Sequence, residues 1–346
     1  MDTQIESFDP FTAPEEDLTD CFNVRRAAIV FDNPEDPPPA RDAVIGAMRV
    51  PTQELGICRY WVVRESARLV GVVQVALPPE QNSQTAMVEI MVHPDARRRG
   101  LAIGLLRACI PYILDSGRRY VVGAGLKAGG PGARWAVARG FEVTETRIMQ
   151  VLTPPSVTAD RWNVAGPTGY SLIRWVGSAP DERVASYAAA RGSITDAPRG
   201  RTNFHDPEWN VTRVREEEKE RLARGAEERV VAAFDDRTGE VVGLSILVIF
   251  PHKLEYGYQG DTVVVPAHRG HGLGRWMKSA MMLWLRDDQR HLTRVYTTTD
   301  SQNTHMINVN EAVGYRTIRA MIWVEDDVSL LKHRLEGVGL PTKQRN

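Results

Sequence analysis

The hydrophobic pattern runs through the same series of elements twice. In the first half, a helix-spaced stretch (residues 14–30) is followed by a strand-like apolar run at Leu69–Leu77 and an amphipathic helix over Gly100–Leu114. A strand at 119–126, a helix at 132–139 and a β-rich end at Phe141–Leu152 complete it. The second half gives helix 180–191, strand 241–250, helix 272–286, strand 294–299, helix 303–313 and a final strand. In helix 272–286 the apolar positions Leu273, Trp276, Met277, Ala280, Leu283 and Trp284 fall on one face. The charged run 213–229 reads as the solvated face of a helix. Strands and helices interleave in both halves, so the chain is expected to be α+β.

Residue identities repeat along with the pattern. An offset of 172 places Pro94 on Pro266, Arg97 on Arg269, Gly100 on Gly272 and Ala102 on Gly274. The same offset carries Glu89 onto Asp261 and Val70-Gly71 onto Val242-Gly243, while Gly140-Phe141 and Gly314-Tyr315 match at 174. A nearly constant offset across matched residue types indicates duplication. The Pro- and Gly-rich content between the halves sets the expected division: a first domain over 1–155, a linker over 156–168 and a second domain over 169–346.

Composition narrows the class of function. The 346 residues carry a net charge of −1, with no basic tract, so nucleic acid is not an expected partner. No apolar run approaches the roughly 20 residues that span a bilayer, so no membrane is expected either. The N-terminus is polar and acidic, and the three cysteines (Cys21, Cys58, Cys109) are odd in number and widely spaced. A reduced, cytoplasmic protein without a structural metal is the expectation.

The chemistry concentrates where a β-branched strand (Thr262, Val263, Val264, Val265) turns into a helix through Arg269-Gly270-His271-Gly272-Leu273-Gly274. Glycines there let backbone approach a ligand, and the N–H groups opening a helix attract an anion. A diphosphate is the natural guest, with Arg269 and Arg275 as further positive charge. The spacing GxGxG is not the dinucleotide GxGxxG, and no Gly-Lys-Ser/Thr ends it as in a Walker loop. A ligand-free glycine-rich helix start remains the alternative for either copy alone.

This Arg-x-x-Gly-x-Gly loop, its Val-x-Pro approach and the Asn303…Gly314-Tyr315 segment resemble the signatures of the GNAT acetyltransferase superfamily. The resemblance covers essentially the whole chain as a tandem pair. It implies two α/β domains, each a mixed, splayed sheet flanked by helices, and acetyl-CoA as the acyl donor with no metal. In the second copy it implies cofactor contacts from Val263, Val264, Val265, Arg269, Gly270, His271, Gly272, Leu273, Gly274, Arg275 and Asn303. In the first copy the corresponding residues are Val92, Arg97, Arg99, Gly100 and Ala102. One of the valine N–H groups would polarise the thioester carbonyl, an oxyanion-hole role worth about 3–4 kcal/mol.

The implied reaction is direct attack of a primary amine of a small molecule on the thioester. Asp261 is the candidate base and Glu89 its counterpart in the first copy. The usual acid position of the family is Asn310, which cannot deliver a proton as a phenol does. Either Tyr256, Tyr258, Ser301, His305 or water is the donor, or no acid is needed because the thiol is already a fair leaving group. The first copy has Gly129 and Ala136 at the Asn and Tyr positions, so the second copy is the expected active one. His205 and Trp209 are candidate acceptor contacts, although Asp206-Pro207-Glu208 also fits a plain helix start. A non-catalytic acyl-CoA-binding protein and a protein N-acetyltransferase are the competing functions.

Overall fold

The computed structural model describes residues 3–50, 52–289 and 291–337. The chain divides into two compact units. The first contains β1 (Thr3–Phe8), α1 (Glu15–Asp32), α2 (Arg41–Arg49), β2 (Ile57–Glu65), β3 (Arg68–Leu77), β4 (Thr85–Val92), α3 (Leu101–Asp115), β5 (Tyr120–Lys127) and α4 (Pro131–Ala138). β6 (Glu142–Leu152) leaves this unit at Glu145. The second contains the rest of β6, β7 (Tyr170–Val176), α5 (Val184–Gly192), α6 (Val211–Ala223), β8 (Glu227–Asp235), β9 (Val241–Ile249), β10 (Tyr256–Val264), α7 (Leu273–Asp288), β11 (Arg294–Asp300) and α8 (Thr304–Val313). β12 (Arg316–Asp327) begins in the second unit, crosses to the first at Met321, and is followed there by α9 (Val328–Gly337).

The last strand of each copy therefore completes the sheet of the other unit. β5 pairs antiparallel with Met321–Asp327 of β12, and β11 pairs antiparallel with Arg147–Leu152 of β6. The strand order is β1-β2-β3-β4-β5-β12 in the first unit and β7-β8-β9-β10-β11-β6 in the second. Division at residue 155 follows chain order, whereas the compact units exchange strands and also place Arg201–His205 in the first. The segment expected as a linker is packed: Trp162 is buried and its indole N–H donates to the Val313 carbonyl at 2.8 Å. Arg161 donates to the Ala312 and Glu311 carbonyls at the end of α8, where a cation suits the helix dipole.

In the second unit α7 packs on one sheet face through Met277, Met281 and Leu285 against Leu247 and Val295. On the other face α5 and α6 set Tyr187 and Val214 against Leu244, Ile246 and Val263. β9 is buried at every position, which is why its sequence is apolar throughout and does not alternate. Two readings of α6 need correction. Its N-cap is Asn210, whose Oδ1 accepts from the Arg213 N–H at 2.9 Å, and not Asp206, which pairs with Arg199. The helix also ends at Ala223, and Glu228 and Arg229 are buried in β8 within ion pairs instead of lying on a solvated face.

Candidate active site

In the second unit, β10 and β11 run parallel and in register from Tyr256 to Tyr258, opposite Arg294 to Tyr296, and then part. Immediately beyond, the register of β10 on β9 shifts between Gln259 and Thr262. A strand irregularity of this kind re-aims side chains and frees backbone groups. Buried polar contacts pin it: Gln259 Nε2 donates to Ser245 Oγ at 3.1 Å and to the Ile246 carbonyl, Thr297 Oγ1 donates to the Gln259 carbonyl at 3.1 Å, and Ser245 and Thr262 share a hydroxyl bond of 2.8 Å.

The register fixes where the amides point. Val265 N–H donates to the Val242 carbonyl at 2.9 Å, and Val264 lies opposite Gly243. Alternate residues of an antiparallel strand turn their N–H groups to opposite sides. Val263 and Val265 thus bond to β9, whereas Thr262 and Val264 direct their amides into the gap left by β11. Thr262 was not among the residues expected from sequence, because only the register reveals the side its amide faces.

The gap leads to the glycine loop. Gly270 and Gly272 have φ of +84° and +78°, the left-handed region that favours glycine. A β-carbon at Gly270, Gly272 or Gly274 would have open space around it within 4 Å, so the loop presents a bare backbone cradle. α7 begins with no side-chain cap and no acidic residue in its first turn, leaving the N–H groups of Leu273, Gly274 and Arg275 aimed outward. Arg275 is exposed and pairs with no acid among the described residues. The bare cradle, the uncapped helix start and this cation fit a diphosphate.

Arg269 is committed elsewhere. Its Nε donates to the Val264 carbonyl at 3.0 Å and its Nη2 pairs with Asp196 at 2.7 Å, so it fixes the loop's shape. Arg97 does the same in the first unit, donating to the Val92 carbonyl at 3.1 Å and pairing with Asp32 at 2.8 Å. Arg99 is held by Glu65 at 2.9 Å and by the Asp95 carbonyl, and His271 Nδ1 lies 3.2 Å from the His268 carbonyl. Asn303 caps α8, its Oδ1 accepting from the Met306 N–H at 3.1 Å. Asn310 is fully buried and donates to Gln150 at 2.8 Å and to Thr299 at 3.3 Å, so that position faces the core.

Asp261 lies in the shifted stretch of β10 and faces α5. Its Oδ2 is 3.4 Å from Nη2 of the buried Arg191, whose Nη1 pairs with Glu217 at 2.6 Å. Burial alone would lower the guanidinium's affinity for its proton, but the acidic neighbours Tyr187, Glu217 and Asp261 more than offset that. Trp209 stacks on this guanidinium, 3.3 Å from its ring centre. His205 does not share the site: it belongs to the first unit, where its backbone exchanges hydrogen bonds of 2.7 and 2.9 Å with the Asn82 side chain.

The first unit repeats the outline with less of the detail. β4 and β5 pair only from Thr85 to Met87 before parting, and Gly100 at φ +81° opens α3 without a cap. Ala102 lies in the first turn of α3. Glu89 pairs with Arg25 of α1 at 2.8 Å. However, β4 keeps an unbroken register on β3, Arg98 occupies the left-handed conformation that Gly270 takes in the second loop, and Ile103 replaces Arg275. Among the described residues no cluster of His, Cys, Asp or Glu is placed to hold a metal ion, and no helix is long and apolar enough to cross a membrane.

Comparison with known proteins agrees with this geometry. The model of the acetyltransferase (GNAT) family matches residues 21–129 and again 196–315. A mycothiol acetyltransferase of Mycolicibacterium smegmatis is 27% identical over 222 residues, covering 62% of this chain and 66% of the relative. A mycothiol acetyltransferase of Rhodococcus erythropolis is 24% identical over 276 residues, covering 75% and 82%. Among solved structures, a tandem GNAT protein from the clavulanic acid biosynthesis pathway superposes with a TM-score of 0.77 at 24% identity, covering 94% of this chain and 99% of its own. A GCN5-related N-acetyltransferase from Sphaerobacter thermophilus gives 0.68 at 16% identity, covering 94% and 96%.

Proposed function

This chain belongs to the acetyltransferase (GNAT) family, and on that premise we propose that its second unit transfers an acetyl group from acetyl-CoA to a primary amine of a small molecule. The observation that carries this reading is the continuity of the site: the amides of Thr262 and Val264 open into the same gap that ends at the bare glycine cradle. Bound acetyl-CoA supplies an activated acyl thioester. Leu273, Gly274 and Arg275 would hold its diphosphate by backbone N–H groups and one guanidinium. The amide of Thr262 or Val264 would donate to the thioester oxygen as charge develops there. Asp261 would receive the amine and accept its proton, directly or through one water. No phenol is needed to expel the thiolate, because a free alkyl thiol titrates near ~8.5 and solvent can protonate it. That is consistent with a buried Asn310. The names of the curated relatives support a small-molecule acceptor.

The test is calorimetric titration with acetyl-CoA followed by thiol-release assays over a panel of amines, with wild type, Gly272→Glu and Gly100→Glu. A carboxylate projecting into the cradle opposes the diphosphate, and a side chain at φ +78° strains the loop. Gly272→Glu is expected to weaken acetyl-CoA binding about a hundredfold and abolish turnover, while Gly100→Glu leaves turnover intact. Full activity in Gly272→Glu would show that the site is elsewhere. Binding by wild type without thiol release across the panel would favour a non-catalytic acyl-CoA-binding protein.

A further inference from the structure

Asp261 is the outer end of a ladder of ion pairs that runs into the protein. Arg191 joins Asp261 to Glu217, Glu217 pairs also with Arg221, and Arg221 pairs with Glu228. Within this ladder three carboxylates thus face two guanidiniums, a net charge of −1 among the described residues. The inner members are covered, with side-chain exposures of 4% for Arg191, 17% for Glu217 and 5% for Glu228. Asp261, at 33%, is the member most open to solvent. The surplus charge is therefore presented there.

Stability does not explain the ladder. Buried ion pairs seldom gain more than they lose in desolvation. Around Arg191, its own Nε, the Tyr187 hydroxyl and the Trp209 indole N–H are buried without a partner among the described residues. Trp209 lies flat against the guanidinium and Glu217 holds its other edge, so the fork that meets Asp261 has one orientation. The first unit clamps its counterpart carboxylate in the same way, Glu89 by the buried Arg25, which Gln74 also holds at 3.0 Å. Arg191 does not sit at the 172-residue offset from Arg25, so this is a recurrence in space and not of sequence.

We propose that Arg191 is a positioning residue that presents Asp261 as a docking point for the acceptor's ammonium group, and that the surplus negative charge restricts the acceptor to amines bearing no carboxylate beside the nitrogen. This rests on the acetyltransferase reading of the same site. An amine bound at Asp261 with an adjacent carboxylate would bring two anionic groups together in a partly desolvated pocket, with both terminal nitrogens of Arg191 already engaged by Glu217 and Asp261. Amines and their carboxylated parents are therefore separated by the site itself.

The experiment compares phenethylamine with phenylalanine and tyramine with tyrosine on the acetyl-CoA-loaded protein, by calorimetric binding and by thiol release, for wild type, Asp261→Asn, Arg191→Met and Arg191→Lys. Wild type is expected to bind the decarboxylated member of each pair about tenfold or more tightly, the scale of one misplaced charge in a partly buried site. Asp261→Asn should lose that preference and most of the amine affinity. Arg191→Met should lower kcat for tyramine about tenfold while leaving the KM for acetyl-CoA and the circular dichroism unchanged. Arg191→Lys, which keeps the charge but not the fork, should recover part of it. Equal or tighter binding of the amino acids, or no binding of either amine, overturns the inference. Amine binding with the expected preference but without acetyl transfer overturns the catalytic reading and leaves the docking site standing. Acetyl transfer that favours amino acids does the reverse.

Discussion

Lys278 offers a measurement of how strictly α7 is built. It lies on α7 at 1% exposure, and its contact is the ring of Tyr315, 5.4 Å from Nζ. With no carboxylate among the described residues to balance its charge, burial drives the amine from 10.5 down to about 7. The same burial pushes the Tyr315 hydroxyl far above its ordinary range. Between pH 7 and 10.5 the unfolded chain holds the lysine proton and the folded chain does not. The unfolded state then binds more protons, and stability must rise with pH across that window. A gap of this size corresponds to roughly 4 kcal/mol of destabilisation at pH 7, falling to roughly 2 kcal/mol at pH 9. Lys278→Met fills nearly the same volume without a titrating group. Urea unfolding of both proteins, followed by tryptophan fluorescence, should show the variant more stable at pH 7. Its advantage should shrink by roughly 2 kcal/mol on going to pH 9. An advantage that stays constant with pH would mean that Lys278 is charged in both states, and the argument from burial would fail.

Two further outcomes test the first unit. Arg98 holds φ +66° on an exposed loop, a conformation that costs a side chain-bearing residue about 1 kcal/mol or more. Arg98→Gly should raise the melting temperature of this unit by a few degrees, the shift about 1 kcal/mol gives in a domain of this size, and a lowered one would refute the strain. A fragment of residues 1–155 should fail to fold cooperatively, as judged by circular dichroism and dye binding. It lacks the Met321–Asp327 neighbour of β5 and the α9 core residues Val328, Leu331 and Leu335. A sharp thermal transition in that fragment would show the exchanged strand to be dispensable.

What the sequence made legible was local. The glycine loop, the helix after it and the valine strand before it were visible because turn chemistry and apolar spacing are properties of neighbouring residues. The repeat exposed two copies of one α+β series, and the family match at 21–129 and 196–315 falls on both. Features built from distant residues stayed hidden. A constant offset cannot tell whether β6 completes the sheet beside β5 or the one beside β11, since either places Gly140 and Gly314 before a final strand. The Arg191 clamp joins residues 70 apart in sequence, and Arg191 read simply as the end of a helix. Asn310 looked like a weakened acid because its position matched the acid's, yet Gln150 and Thr299 draw it into the core.

The two copies keep the arginine at the start of the loop for the same reason, and that reason is structural. Arg269 and Arg97 each bond the carbonyl of the last strand residue and an acid at or just beyond the end of the first helix of their copy, Asp196 and Asp32. A residue that spends its hydrogen bonds on the loop is retained wherever the strand–loop–helix turn is retained, with or without a cofactor. Its presence is evidence of fold. Evidence of binding has to come from groups the fold does not use. Arg275 stands exposed at the helix start where the first copy has Ile103, and β10 breaks register where β4 runs straight. Gly270, moreover, leaves bare backbone where Arg98 places a side chain under strain. All three differences favour the second unit, and the first two would be neutral or costly in a merely structural loop. Had the loop arginine been the criterion, the copies would have been indistinguishable.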